Sequence, residues 1–142
     1  MALLSNEAIQ LLGQQLKRHE GIEYKPYHCT AGKLTIGIGR NIDDLGISED
    51  EAFYLLNNDI KRVEQEVSNN ISFLDELSDN RKIALLNMAF NLGISRLMKF
   101  KNMLSALQQH DYQTAAKEML NSRWARQVGR RAEELAKQME AG

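Results

Sequence analysis

The stretch RHEGIEYKPYHCTAGKLTIGIGR, residues 18–40, decides how this chain is read. A helical pattern stops at Glu20-Gly21. Two short aromatic or β-branched runs follow, separated by Thr30-Ala31-Gly32-Lys33, and the second closes on Gly37-Ile38-Gly39. This pattern predicts a hairpin over residues 24–39 with its turn near Ala31-Gly32. The hairpin holds the chain's one cysteine, Cys29, and a glutamate, Glu20, stands at its entrance.

On either side the pattern is helical. Ile9, Leu12 and Leu16 share one helical face, so residues 6–19 read as an amphipathic helix. Ser48-Glu49-Asp50-Glu51 is a capping-box signature. Behind it Ala52, Leu56, Ile60, Val63 and Val67 form a long stripe. A helix of about 20 residues spans roughly 30 Å, enough to connect two lobes. Ile83, Leu86 and Phe90 mark a further helix ended by Gly93. Leu97 to Leu107, Tyr112 to Leu120 and Ala132 to Met139 suggest three more, with a short turn around Arg123-Trp124. The fold class is therefore α+β and mostly helical. A hairpin lobe covers about residues 20–47 and a connecting helix residues 48–70. A helical lobe covers residues 71–142 together with the N-terminal helix. A single 1–142 domain of this shape binds its ligand in a cleft between the lobes.

Composition excludes several functions. With 142 residues and one proline, the chain has room for one core and little linker. A net charge of −1 gives no global pull toward nucleic acid. A single cysteine makes no intramolecular disulfide. No apolar run approaches the roughly 20 residues of a membrane span. Asn6, Glu7 and Gln10 interrupt the apolar stretch that a signal peptide needs. A protein that starts in the cytoplasm with no export signal of its own is expected.

Three residues of the opening stretch carry candidate chemistry. A carboxylate at the negative end of a helix dipole is disfavoured, which suits a general acid. For Glu20 alone a solvated glutamate before a capping glycine is the better account. Cys29 alone reads as a small filler, and Thr35 alone as a β-branched strand residue. Together they put a carboxyl, a thiol and a hydroxyl within reach of one water. Gly37-Ile38-Gly39 is no nucleotide loop, because position 42 is Ile and no following βαβ unit is evident. Its glycines suit close approach of a backbone or ligand. His19, Glu20, His28 and Cys29 make a poor zinc set: two adjacent pairs are unusual, and position 23 is Glu, so H-E-x-x-H is absent. Neither metal nor cofactor is expected. Arg123, Arg126, Arg130 and Arg131 are either a solvated face balanced by Glu133 and Glu134 or an anion clamp.

Taken together these residues resemble the phage-type lysozymes, the endolysin muramidases of glycoside hydrolase family twenty-four. The family pattern is a glutamate, eight residues, an aspartate or sometimes a cysteine, five residues, then a threonine in a TIGIGH-like strand. Glu20, Cys29 and Thr35 stand at those spacings, and the strand here reads TIGIGR. GISEDEAFYLLNNDIKRVEQEV resembles the family's inter-lobe helix. ALLNMAFNLG resembles the central helix of its C-terminal lobe, and SRWARQVGRRA its S-R-W segment and following arginine.

The resemblance implies hydrolysis of the β-1,4 bond between N-acetylmuramic acid and N-acetylglucosamine in peptidoglycan, with inversion. Glu20 would protonate the leaving oxygen, and Cys29 with Thr35 would hold the attacking water. Arg131 matches an arginine that packs near the catalytic glutamate. Asn91 falls at a substrate-contacting position, though Asn-Leu-Gly is also a plain helix end. Arg40 replaces the usual histidine after TIGIG and keeps a positive charge there. The 39–46 connection is short where longer members insert a helix and loop. A monomer is implied that waits in the host cytoplasm until a holin releases it to the periplasm.

Some alternatives stay open. A lytic transglycosylase cuts the same bond but forms an anhydro ring. A non-catalytic wall-binding module is supported by the cysteine at the usual carboxylate position. Cys29 itself could act as base, water positioner or nucleophile. A neutral thiol becomes a base only if its pKa falls, and Arg40 and His28 are the sequence candidates for lowering it.

Overall fold

Helix α1 (Asn6–Glu20) starts where Ser5 accepts the N–H of Ala8 on its hydroxyl at 3.1 Å. It ends at Gly21, whose N–H returns to the Lys17 carbonyl. The computed structural model describes residues 3–142; Met1 and Ala2, at the head of the N-terminal segment read above, lie outside the described residues. The chain divides into two units, Met1–Phe53 and Tyr54–Gly142. That division puts α1 with the hairpin, where the sequence reading grouped it with the helical lobe. Only Gly21 and Ile22 separate α1 from the first strand.

In the first unit β1 (Glu23–His28) pairs antiparallel with β2 (Leu34–Gly37), as the hairpin pattern predicts. A third strand, β3 (Arg40–Asn41), was not expected and lies on the other edge of β2. Gly37 and Gly39 make it feasible. Both are left-handed, at φ +72° and +76°, so the chain reverses around Ile38 and Arg40 comes opposite Ile36. The short connection that follows has structure of its own. Asn41 caps a helical turn, α2 (Ile42–Leu45), by accepting the N–H of Asp44 at 3.0 Å. The predicted capping box is present at the start of α3 (Glu49–Asn70): Ser48 and Glu51 exchange bonds of 2.8 and 3.2 Å.

The second unit holds the apolar core. After the end of α3 and a single 3-10 turn (Leu74–Glu76) come α4 (Asp79–Leu92), α5 (Ile94–Leu97), α6 (Lys101–Gln108), α7 (Tyr112–Leu120), α8 (Arg123–Val128) and α9 (Arg130–Ala141). Val67, Leu85, Met88, Leu97, Leu107, Met119 and Met139 are fully buried. Each such side chain contributes about 1.5–3 kcal/mol relative to exposure. Arg81 binds the end of α9 to α4: its Nε donates to the Met139 carbonyl at 2.7 Å, and its guanidinium lies 3.4 Å over the Tyr112 ring.

Several sequence expectations change here. The predicted 97–107 helix begins only at Lys101, as α6; Met98–Phe100 separate it from α5, and Phe100 stands edge-on to Trp124. The turn at Arg123-Trp124 is a full helix, capped by Ser122. Helix α4 is present, yet its buried face is Ala84, Leu85, Met88 and Ala89. The Ile83-Leu86-Phe90 stripe used to find it lines, with Leu56, Ile60 and Val63, a cavity of about 310 Å³ in this unit.

Candidate active site

The sharp turn of the hairpin sets Cys29. Its N–H donates to the Lys33 carbonyl at 2.9 Å, and its own carbonyl accepts the Gly32 N–H at 2.8 Å. The closed turn aims backbone N–H groups at the sulfur. Those of Lys33 and then Ala31, followed by the Thr35 hydroxyl, hold the Cys29 thiol below its ordinary pKa. This corrects the sequence reading, which looked to Arg40 and His28 for that effect.

Thr35 sits in the middle strand, opposite Tyr27 on one side and Asn41 on the other. Among the described residues of the first unit it alone is buried, with 4% of its surface exposed. Its hydroxyl donates to the Lys33 carbonyl at 2.9 Å.

Glu20 ends α1 and lies against Gly39, where an added Cβ would stand 3.5 Å from its Oε2. The expected close approach of backbone at this glycine is therefore made to the candidate acid itself. Arg40 turns elsewhere. It forks onto the Glu51 carboxylate at 2.9 and 2.7 Å and donates to the Gly46 carbonyl at 3.0 Å. The Arg40 fork, then the Ser48 N–H, holds Glu51 down to about 2. The positive charge after TIGIG joins the β3 turn to the start of α3.

Of the residues expected to contact substrate, two lie in the second unit. Asn91 accepts the indole N–H of the buried Trp124 at 2.7 Å, so its amide oxygen serves the fold. Arg131 holds Asn87 on α4, Nη2 to Oδ1 at 2.7 Å and Nε to Oδ1 at 3.0 Å. Among the described residues no three His, Cys, Asp or Glu side chains gather as a metal site would require.

Sequence reasoning passed over Asp43 and Asp44, and read Glu51 only as a capping residue, not as the partner of Arg40. Asp43 accepts the Leu34 N–H at 2.6 Å, and Asp44 pairs with Lys33 Nζ at 3.2 Å. The signal for the first two was Asn41-Ile42-Asp43-Asp44, a cap residue followed by acids in a first helical turn.

Comparison with known proteins gives one consistent result. Residues 17–141 match the phage lysozyme family. A probable T4-type lysozyme of Dictyostelium discoideum is 28% identical, over 94% of this chain and 96% of its own. The endolysin of Acyrthosiphon pisum secondary endosymbiont phage 1 is 31% identical, over 82% of this chain and 80% of its own. The SAR-endolysin of Escherichia phage Mu is 30% identical, over 84% of this chain and 69% of its own. The hairpin that carries Cys29 and Thr35, the glutamate before it and the helices after it all fall within the matched span: the chain belongs to the phage lysozyme family.

Proposed function

We propose that this lysozyme hydrolyses the β-1,4 bond between N-acetylmuramic acid and N-acetylglucosamine in peptidoglycan, with inversion at the anomeric carbon. The observation that carries the reading is the Cys29–Thr35 pair on the hairpin, at the family spacing after a helix-end glutamate. Glu20 donates its proton to the glycosidic oxygen as the C–O bond breaks. A water held by Cys29 and Thr35 attacks the anomeric carbon from the other face and gives its proton to the sulfur as thiolate, or to solvent. The sulfur forms no bond to the sugar, since direct attack by water is what inversion requires. Arg131, which holds Asn87 through its guanidinium, and the amide N–H₂ of Asn91 are the residues of the second unit expected to contact substrate.

The endolysin relatives favour a role in lysis of the host. Among the described residues no helix is long and apolar enough to cross a membrane. In this reading the monomer stays in the host cytoplasm until a holin opens the way to the wall. Two assays test the proposal. Turbidity of permeabilised Gram-negative cells should fall on adding the protein, and the released muropeptides should carry a reducing muramic acid end. Anhydro ends would replace hydrolysis by transglycosylation. No clearing at any dose would leave a wall-binding module.

A further inference from the structure

We propose that Asp43 is a positioning residue for the Cys29–Thr35 pair, acting through the peptide group that joins Lys33 to Leu34. The inference rests on the reading above that this pair holds the attacking water.

The oxygen of that peptide accepts both the Cys29 N–H and the Thr35 hydroxyl, each at 2.9 Å. Its N–H donates to Oδ2 of Asp43 at 2.6 Å. One peptide group therefore touches both members of the pair on one side and Asp43 on the other. The arrangement has a cause in the sheet. The β2–β3 ladder ends at Thr35 opposite Asn41, so the next N–H on β2, that of Leu34, has no strand partner. Asp43, two residues beyond Asn41, supplies the missing acceptor.

A carboxylate makes this bond stronger than a carbonyl would. It also polarises the amide, so the carbonyl oxygen becomes a better acceptor for the two groups it holds. Asp43 is itself fixed. Its neighbour Asp44 accepts from Asn41 Nδ2 at 2.9 Å and returns its own N–H to Asn41 Oδ1. Asp44 also pairs with Lys33 Nζ, which ties α2 to the same turn a second time. The backbone N–H of Lys33 is the first of the groups that favour the ionised sulfur. If the Lys33–Leu34 peptide rotates, the shared acceptor of the Cys29 N–H and the Thr35 hydroxyl moves, and the turn that aims the Lys33 N–H at the sulfur loosens with it.

The plainer account makes Asp43 only the start of a helical turn. Two neutral variants separate the accounts, because both remove the charge and only one keeps an acceptor oxygen. Asp43→Asn and Asp43→Ala are compared by the pH dependence of Cys29 alkylation with iodoacetamide, without substrate. Turnover on solubilised peptidoglycan fragments is then measured. Far-UV circular dichroism checks the fold, and Asp43→Leu, which also lacks an acceptor, replaces the alanine variant if that one does not fold.

The alkylation midpoint of Asp43→Ala should lie above that of Asp43→Asn. Its kcat should fall about tenfold with KM little changed, as expected for loss of one charge-assisted bond, while Asp43→Asn, which keeps an acceptor oxygen but not the charge, falls by less. A common midpoint in the two neutral variants overturns the inference, and so does a wild-type kcat in Asp43→Ala. A wild-type protein that lacks activity but shows the alkylation contrast upholds the Asp43 linkage and overturns the function proposed above.

Discussion

The Glu20 carboxyl rests against the backbone of Gly39, with room for no more than a methyl group between them: an added Cβ would stand 3.5 Å from Oε2. Gly39 is also left-handed, at φ +76°. Gly39→Ala should therefore cost about 1–2 kcal/mol of stability from backbone strain. Its activity should fall further than that loss explains, because the strained backbone shifts at the surface against which the acid rests, while the methyl itself fits at ordinary van der Waals distance. Thermal melts and lysis rates on the same preparation check this. A variant that is destabilised yet lyses like wild type would remove Gly39 from the site.

Cys29 separates the water mechanism from its competitors. Cys29→Asp should keep substantial activity, because a carboxylate can hold or deprotonate the same water. Cys29→Ala should lose activity by about 10²-fold or more, the scale of general-base assistance. An alanine variant as active as wild type would reduce the thiol to packing. A sugar trapped on the sulfur, seen by mass spectrometry, would mean a covalent route in its place.

Acid sensitivity should trace partly to Glu51. Its folded value of about 2 lies below the ordinary glutamate value of about 4.3. The Arg40–Glu51 pair thus stabilises the fold fully above about pH 4.3, and that stabilisation is lost as pH falls toward 2. Glu51→Gln should melt lower than wild type at pH 7 and show a flatter decline of Tm between pH 4.3 and 2. The side chains are 38% and 42% exposed, so the difference should shrink in high salt. Parallel Tm–pH curves for the two proteins would show that the fork contributes nothing measurable.

Arg131→Ala should lower activity about tenfold or more while changing stability by about 1 kcal/mol or less, the usual scale of a partly exposed hydrogen bond. Asn87→Ala removes the group that Arg131 holds and should give a similar stability change. Arg131→Lys should not restore activity, because an ammonium cannot keep the forked geometry. If Arg131→Ala lyses cells like wild type at both limiting and saturating enzyme, the arginine only braces α4.

Much of the first unit was legible because its signals are local. The hairpin follows from two runs around Thr30–Lys33, and the α3 start from Ser48 and Glu51. β3 was hidden, since two residues carry no periodicity and the strand exists only because Gly37 and Gly39 turn the chain. In the second unit the apolar pattern found α4 but misread its buried face, because Ile83 and Phe90 are larger and more conspicuous than Ala84 and Ala89. The break before α6 falls at Phe100, which meets Trp124 edge-on, a contact that no local spacing shows.

For the site, residue types and spacing pointed to Glu20, Cys29 and Thr35. They did not say what acts on the sulfur. A cation was the natural candidate from sequence, yet Arg40 is spent on Glu51 and backbone N–H groups of the turn do the work. Backbone donors carry no sequence signature, so only the folded turn reveals them. The same holds for Asp43, whose role comes from where the β2–β3 ladder stops.

The most direct measurement is the rate of reducing-end release from purified peptidoglycan by Glu20→Gln against wild type, with both proteins shown to be folded by circular dichroism. The amide keeps the size and the place against Gly39 but has no proton to give the leaving oxygen. The rate should fall by about 10²–10⁴-fold, the contribution of a general acid, with the melting temperature little changed. Retention of more than about a tenth of the wild-type rate would contradict a proton-donor role of that size for Glu20.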